Sequence, residues 1–362
     1  MTLSIRHRIN AAALAFGLGA TLAACGSGDA TSDSAKGDSP AATAAATTAK
    51  EKDKESDSKD SDKAKEGTWP RTVATDDGEV TLEKKPERIV STATTLTGTL
   101  LSLGAPVVAS GATMANSPEF SDDQGFFSQW SEAAKKAKVE KLWENQEPKI
   151  EKVVDYNPDL IVVAKTSGDS VFDHVEELRK VAPVVVVDYS DADWTEVSEM
   201  IAVATGTEKA HEEAVKKFED RLKEVKGKIT VPDEEVSPVM VFGDGSGAAA
   251  LTQEAPQTQI LKELGFTIAQ IPEEVKGSET MGKRGDIVEL SNENLQKGLP
   301  GGIWIAVGAD PAVREQIEKN PAITSSEQAK SGKIYSTPGE TFRLDYYSAL
   351  MFLDSIEKTF SK

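Results

Sequence analysis

The sequence predicts an α/β protein of two lobes joined by one long helix. Three observations carry that expectation. Short, almost wholly apolar β-branched runs alternate with amphipathic stretches from Trp69 onward, as in a parallel sheet covered on both faces. A long stretch from about Trp194 to Ile229 is rich in Glu, Lys and Ala and has no strand signal, although Gly206 can interrupt it near its start. After it, the strand and helix pattern begins again. A length of 362 residues suits two domains of ordinary size with additional segments.

In chain order, residues 1–25 read as an address. Arg6, His7 and Arg8 precede an apolar run from Ala11 to Ala24, too short for a comfortable membrane span and typical of a secretory signal. The run ends in Leu22-Ala23-Ala24-Cys25-Gly26, which resembles a bacterial lipobox; lipidation of Cys25 would anchor the chain on the extracytoplasmic face of the cell membrane. Residues 26–67 are mostly Gly, Ser, Asp, Lys, Ala and Thr, with a few Glu and one Pro and without an aromatic. Such a segment cannot bury a core and is expected to be a disordered tether, spanning on the order of 35–40 Å.

The first lobe is expected over residues 68–192. A short strand at Glu79–Leu82 comes first, then strands at Arg88–Ser91, Pro106–Ala109, Leu160–Val163 and Pro183–Asp188, with helices through Leu96, Leu100 and Leu103 and from Phe172 to Val181. The connecting helix takes residues 193–230. The second lobe, residues 231–362, has strands at Val239–Phe242 and Ile303–Ala306 and helices at Gln259–Leu264 and Tyr347–Phe360. Ligands of such sheets bind at the carboxyl ends of the strands, so the cleft between the lobes is the expected pocket. Glu151 and Ile161 in the first half repeat the spacing of Glu293 and Ile303 in the second, each glutamate opening a helix ahead of a strand. A glutamate there suits a helix dipole.

Composition narrows the function. A formal net charge of −19 argues against nucleic acid, whose phosphates need a basic stripe. One cysteine makes no internal disulfide, and only three histidines, His7, His174 and His211, leave little for a zinc or heme site. The loop Gly243-Asp244-Gly245-Ser246-Gly247 lacks the spacing of a nucleophile elbow or a dinucleotide fingerprint, so no enzyme chemistry is expected.

Several stretches carry a family resemblance. They are Arg88-Ile89-Val90-Ser91-Thr92 with Thr95-Leu96-Thr97-Gly98, Pro106 to Thr113, Asp123-Gln124-Gly125-Phe126, Gln129-Trp130-Ser131, Gly168-Asp169-Ser170, Gly282-Lys283-Arg284, Asp286-Ile287, and above all Glu340-Thr341-Phe342-Arg343-Leu344-Asp345-Tyr346-Tyr347-Ser348-Ala349. This pattern resembles the helical-backbone class (class III) of periplasmic binding proteins of ABC importers, and within it the ferric-enterobactin binders. The resemblance runs from Trp69 to the end. It implies a non-enzymatic, monomeric binder without a cofactor, which captures a ferric siderophore and delivers it to a permease and its ATPase; a hydroxamate siderophore, heme or a cobalamin is the alternative cargo.

A ferric tris-catecholate is a trianion, so capture by an acidic protein requires local cations in a partly dry cleft. The siderophore fills the iron shell, so no protein metal ligand is expected. Arg343, Arg284 and Lys283 from the second lobe and Lys165 from the first are the expected cations; arginine also stacks on catechol rings. Thr94, Thr95, Leu96 and Thr113 follow first-lobe strands and are expected in the cleft. The sequence departs from the family where an aromatic is usual, near Leu251, which removes a stacking surface there. In this class one glutamate per lobe docks on permease arginines, and Glu151 and Glu293 occupy similar positions.

Overall fold

A computed structural model describes residues 67–190, 192–275, 277 and 285–362. The segments read as signal and tether up to residue 66, Cys25 among them, and the Lys283–Arg284 pair lie outside the described residues.

The chain opens with a hairpin, β1 (Arg71–Thr75) and β2 (Gly78–Leu82), whose inward Val73 and Leu82 are buried. β3 (Ile89–Ser91) leads into α1 (Thr94–Ser102), followed by β4 (Val107–Ala112), α2 (Ser128–Ala137), β5 (Glu140–Glu144), β6 (Leu160–Ala164), α3 (Val175–Leu178) and β7 (Val184–Val187). The five strands after the hairpin form one parallel sheet in the order β5-β4-β3-β6-β7. Every residue of β3, β6 and β7 is buried, because helices or loops cover both faces; this is why those strands read as unbroken apolar runs. The helix expected from Phe172 to Val181 is shorter: one 3-10 turn at Phe172–His174 and then α3.

The connector is two helices. α4 (Trp194–Thr205) begins with a capping box in which Asp193 accepts from the Glu196 N–H while the Glu196 side chain accepts from Asp193. It stops at Gly206, whose left-handed backbone (φ 65°) directs its N–H to the Ala202 carbonyl. α5 (Glu208–Lys228) then runs for 21 residues, about 30 Å. The interruption foreseen at Gly206 is therefore real, and α5 alone is the long strut between the lobes. Arg71 ties the break to the hairpin: it is buried, bonds the Val203 carbonyl at 2.7 Å, pairs with Glu208, and stacks on Trp69 with its guanidinium carbon 4.3 Å from the ring centroid.

The second lobe comprises β8 (Val236–Val241), β9 (Gly247–Leu251), α6 (Pro256–Leu264), β10 (Ile287–Ser291), α7 (Leu295–Gly298), β11 (Ile303–Ala309), α8 (Pro311–Lys319), α9 (Pro321–Thr324), α10 (Glu327–Lys330), β12 (Ile334–Pro338) and α11 (Tyr346–Phe360). It does not copy the first. Its order is β10-β9-β8-β11-β12, and β9 is antiparallel to both of its neighbours. Pro238 lies inside the central β8, where a missing N–H is usually costly. The β9 ladder begins only at Val239, which removes the conflict on that side.

Each lobe has a core on both faces of its sheet. The cores meet through aromatic rings. Phe342 of the second lobe packs on Phe120 and Phe127 of the first, with centroids 5.3 and 5.8 Å apart. Trp194 of α4 packs on Phe218 of α5 and on Tyr346 of α11, at 5.3 and 6.1 Å. At the surface of this junction Arg314 makes a two-pronged pair with Glu119, at 2.6 and 2.8 Å.

Candidate ligand-binding site

A cavity of about 620 Å³ opens between the lobes. That size is in the range of small-ligand sites. The first lobe contributes Thr95, Leu96 and Thr99 from α1, Tyr189, Ser190 and Ala192 beyond β7, and Trp194 and Val197 from α4. The second contributes Met240, Val241 and Phe242 at the end of β8, Leu251 of β9, Ala255 to Gln257 at the start of α6, Asp286 and Ile287, Val307 and Gly308 of β11, and Phe342 to Leu344 ahead of α11. Many of these stand at carboxyl ends of parallel strands, as expected for an α/β cleft.

The wall is mainly apolar. Arg343 is the one cation lining it among the described residues. Its guanidinium carbon stands 4.5 Å from the centroid of the Tyr189 ring, and no carboxylate lies within ion-pairing distance of it among the described residues. Asp345, two residues on, is engaged elsewhere. It accepts from the Ser348 N–H at 2.8 Å, while the Ser348 hydroxyl bonds the Asp345 N–H at 2.9 Å, a reciprocal cap on α11. Burial pushes the Asp345 carboxyl up, against the Ser348 hydrogen bonds that pull it down. Arg343 is thus free to face a ligand.

Tyr189 is nearly buried and donates to Asp169 Oδ1 at 2.5 Å. Burial, and then the Asp169 charge, push the phenol up to about 12, with Arg343 pulling the other way, so it is neutral at physiological pH. The other Asp169 oxygen accepts the Thr95 N–H at 2.9 Å, in the first turn of α1. Two carboxylates also line the cavity, Asp244 and Asp286. The N–H and hydroxyl of Ser246 bond Asp244 and hold its carboxyl below the usual range, so it stays anionic.

The structure brings together Arg343, Thr95 and Leu96 of the expected site and leaves others out. Thr94 is fully buried, its hydroxyl accepting from Asn145 at 2.8 Å, and has no access to the cavity. Thr113 lies on the loop after β4, its N–H bonded to the Gly125 carbonyl, and is not among the residues lining the cavity. Lys165 donates to the Asp76 carbonyl at 2.8 Å and lines a separate polar depression with Thr166, Ser170 and His174. The hairpin takes up its ammonium, a long-range contact that strand position alone does not reveal. Lys283 and Arg284 immediately precede Asp286's neighbour Gly285, outside the described residues. Glu151 is exposed in the first turn of a 3-10 helix, Ile150–Tyr156; Glu293 is exposed in the turn ahead of α7, which starts only at Leu295.

Sequence reading missed Tyr189 and Phe242. Phe242 directly follows β8 and Tyr189 lies two residues past β7, and that position was the available signal. Phe242 and Leu251 both line the cavity, but the antiparallel register sets Phe242 opposite Gly247, at the other end of β9 from Leu251.

Residues 89–341 match the periplasmic binding protein family. The chain belongs to that family. This periplasmic binding protein is 38% identical over 292 residues to the ferric enterobactin-binding periplasmic protein FepB of Escherichia coli O6:H1, covering 81% of its own length and 91% of FepB. It is 27% identical over 274 residues to the iron(3+)-hydroxamate-binding protein FhuD of Bacillus subtilis, covering 73% and 78%. Among solved structures, holo-ViuP superposes with a TM-score of 0.72 at 29% identity, over 82% of this chain and 96% of that one. Staphylococcus aureus SirA complexed with staphyloferrin B shares the fold, with a TM-score of 0.62 at 19% identity over 80% and 99%. The two α/β lobes on a helical backbone are the fold of these relatives.

Proposed function

We propose that this protein binds a ferric siderophore of the catecholate type outside the cytoplasm and delivers it to an ABC importer for iron uptake. The observation that carries the reading is the 38% identity to a ferric enterobactin binder along nearly the whole of that relative. The cavity is compatible with it: mainly apolar walls suit catechol rings, and Arg343 offers a guanidinium to the catecholate oxygens. Lys283 and Arg284 are further cations of this reading. The iron travels as cargo inside the siderophore, and no cofactor or catalytic group is assigned to the chain. Glu151 and Glu293, both exposed, are the proposed contacts to the permease. A lipid on Cys25 is the proposed membrane anchor of a monomeric protein.

Trp194 lines the cavity and reports on its occupancy. The purified protein is titrated with a ferric catecholate, a ferric hydroxamate and the iron-free catecholate while tryptophan fluorescence is followed. Tight binding of the ferric catecholate is expected, weaker at high salt and weakened about 10- to 100-fold by Arg343→Ala, in keeping with a hydrogen bond to a charged group. Preference for the hydroxamate, with no salt dependence, overturns the catecholate assignment and favours the cargo named for FhuD. Hydrolysis of the siderophore during incubation would place the protein among enzymes instead.

A further inference from the structure

Arg343 has a long, flexible side chain and no ion-pair partner among the described residues, yet its guanidinium is held over the face of Tyr189. That ring comes from the opposite lobe. It hangs from the chain just past β7 and is fixed at its far end, where the hydroxyl donates to Asp169 at 2.5 Å. Asp169 is itself 8% exposed and immobilised, because its other oxygen accepts the Thr95 N–H. α1 has no side-chain cap of its own, as its N-cap residue is Ala93. A first-turn N–H there is therefore available to a carboxylate from a distant loop. The result is a chain of three held contacts: helix start to Asp169, Asp169 to Tyr189, Tyr189 to Arg343.

From this chain we infer that Asp169 and Tyr189 are positioning residues of the binding site, which fix the Arg343 guanidinium across the cleft before a ligand arrives. The inference rests on the proposed siderophore reading for its consequence, though not for its geometry. Stacking on a ring leaves the guanidinium hydrogens, which lie in its plane, available to an anionic ligand. It also removes much of the rotamer freedom that a bare arginine loses on binding, so the affinity of the site depends on Asp169 although Asp169 does not line the cavity. A neutral phenol is required for the hydroxyl to donate, and an anionic carboxylate to accept both bonds.

Two measurements test this on the full chain. The first needs no ligand. Stacking over Tyr189 shifts the Arg343 side-chain resonances upfield by ring current; they are assigned by comparison with Arg343→Lys. Tyr189→Leu should abolish the shift and Asp169→Asn should reduce it, since an amide cannot accept from both Tyr189 and Thr95 through two oxygens. An unchanged shift in Asp169→Asn overturns the inference. The second is a double-mutant cycle on ferric catecholate binding. Asp169→Asn should weaken binding about tenfold in the parent and less than about twofold when Arg343→Ala is already present. Equal losses in both backgrounds mean that Asp169 acts on the fold and not through Arg343, and likewise overturn it. A parent protein that binds no ferric catecholate refutes the proposed function, while the resonance shifts still decide the positioning role by themselves.

Discussion

Gly98 lies in the middle of α1 where that helix meets Asp345 of the second lobe, and Gly98→Ala tests how that junction is built. A Cβ at this position would stand 2.5 Å from Oδ2 of Asp345 and 2.6 and 3.0 Å from Cδ1 and Nε1 of Trp130. Relaxed contacts of this kind lie near ~3.5 Å, so the overlap is about 1 Å on two sides. Neither neighbour can swing clear. Trp130 is 1% exposed and wedged against Phe126 and Phe127, and Asp345 caps α11. Relief therefore requires α1 and α11 to separate. Overpacking of this kind costs ~1–3 kcal/mol. Loss of the Asp345 cap adds about 1 kcal/mol, and replacing a helical glycine by alanine returns about 1 kcal/mol. The expected net loss is ~1–3 kcal/mol, read as a lower urea midpoint by tryptophan fluorescence and far-UV circular dichroism. Gly227→Ala is the control: it is exposed in α5, nothing stands within 4 Å of its Cβ, and the change should stabilise by up to ~1 kcal/mol. A Gly98→Ala protein that unfolds at or above the parent midpoint would refute the claim that the lobes are in rigid contact there.

Other outcomes follow from single contacts. Arg314→Ala removes the inter-lobe pair with Glu119; both side chains are about two-fifths exposed, so stability should fall by only ~0.5 kcal/mol, while lobe-to-lobe distance distributions measured with spin labels should broaden. Burial holds the His211 imidazole, bonded to the Ser198 hydroxyl at 3.0 Å, below its usual 6.5, against the pull of Glu199 and Glu212. The unfolded chain then takes the proton more readily, so stability present above pH 6.5 is lost as pH falls below it; His211→Gln should flatten that part of the urea-midpoint profile. Cys25→Ser should move the protein from the membrane fraction to the soluble fraction of cells and abolish incorporation of labelled fatty acid; retention in the membrane fraction excludes the proposed anchor.

How much was legible in the sequence followed from where each segment sits. β3, β6 and β7 are buried on both faces, so their composition alone marks them as strands. β9 is Gly-Ala-Ala-Ala-Leu, residues of low strand propensity, and it forms because both of its edges are paired, with β8 on one side and β10 on the other. At Gly247 an added Cβ would stand 2.2 Å from the Leu290 carbonyl. β5 is a charged edge strand, Glu140 to Glu144, and carries no apolar run to betray it. In the site, Arg343 was legible from its motif. Thr94 and Lys165 followed strands just as Tyr189 does, yet one is sealed by Asn145 and the other drawn to Asp76. Which side of a loop faces the cleft is decided by partners distant in sequence, and those only the fold discloses.

The opening hairpin has a consequence for handling the protein. β7 is an edge of its sheet, and an uncovered edge of four valines is a template for intermolecular strand pairing. The hairpin blunts it. The Asp76 N–H bonds the Val186 carbonyl at 3.1 Å, and the Asp76 carboxylate takes the Asp188 N–H at 2.6 Å. Residues 69–82 are thus a plug, and a truncation that trims them as if they were leader sequence would yield aggregates in which one molecule's valine edge recruits the next.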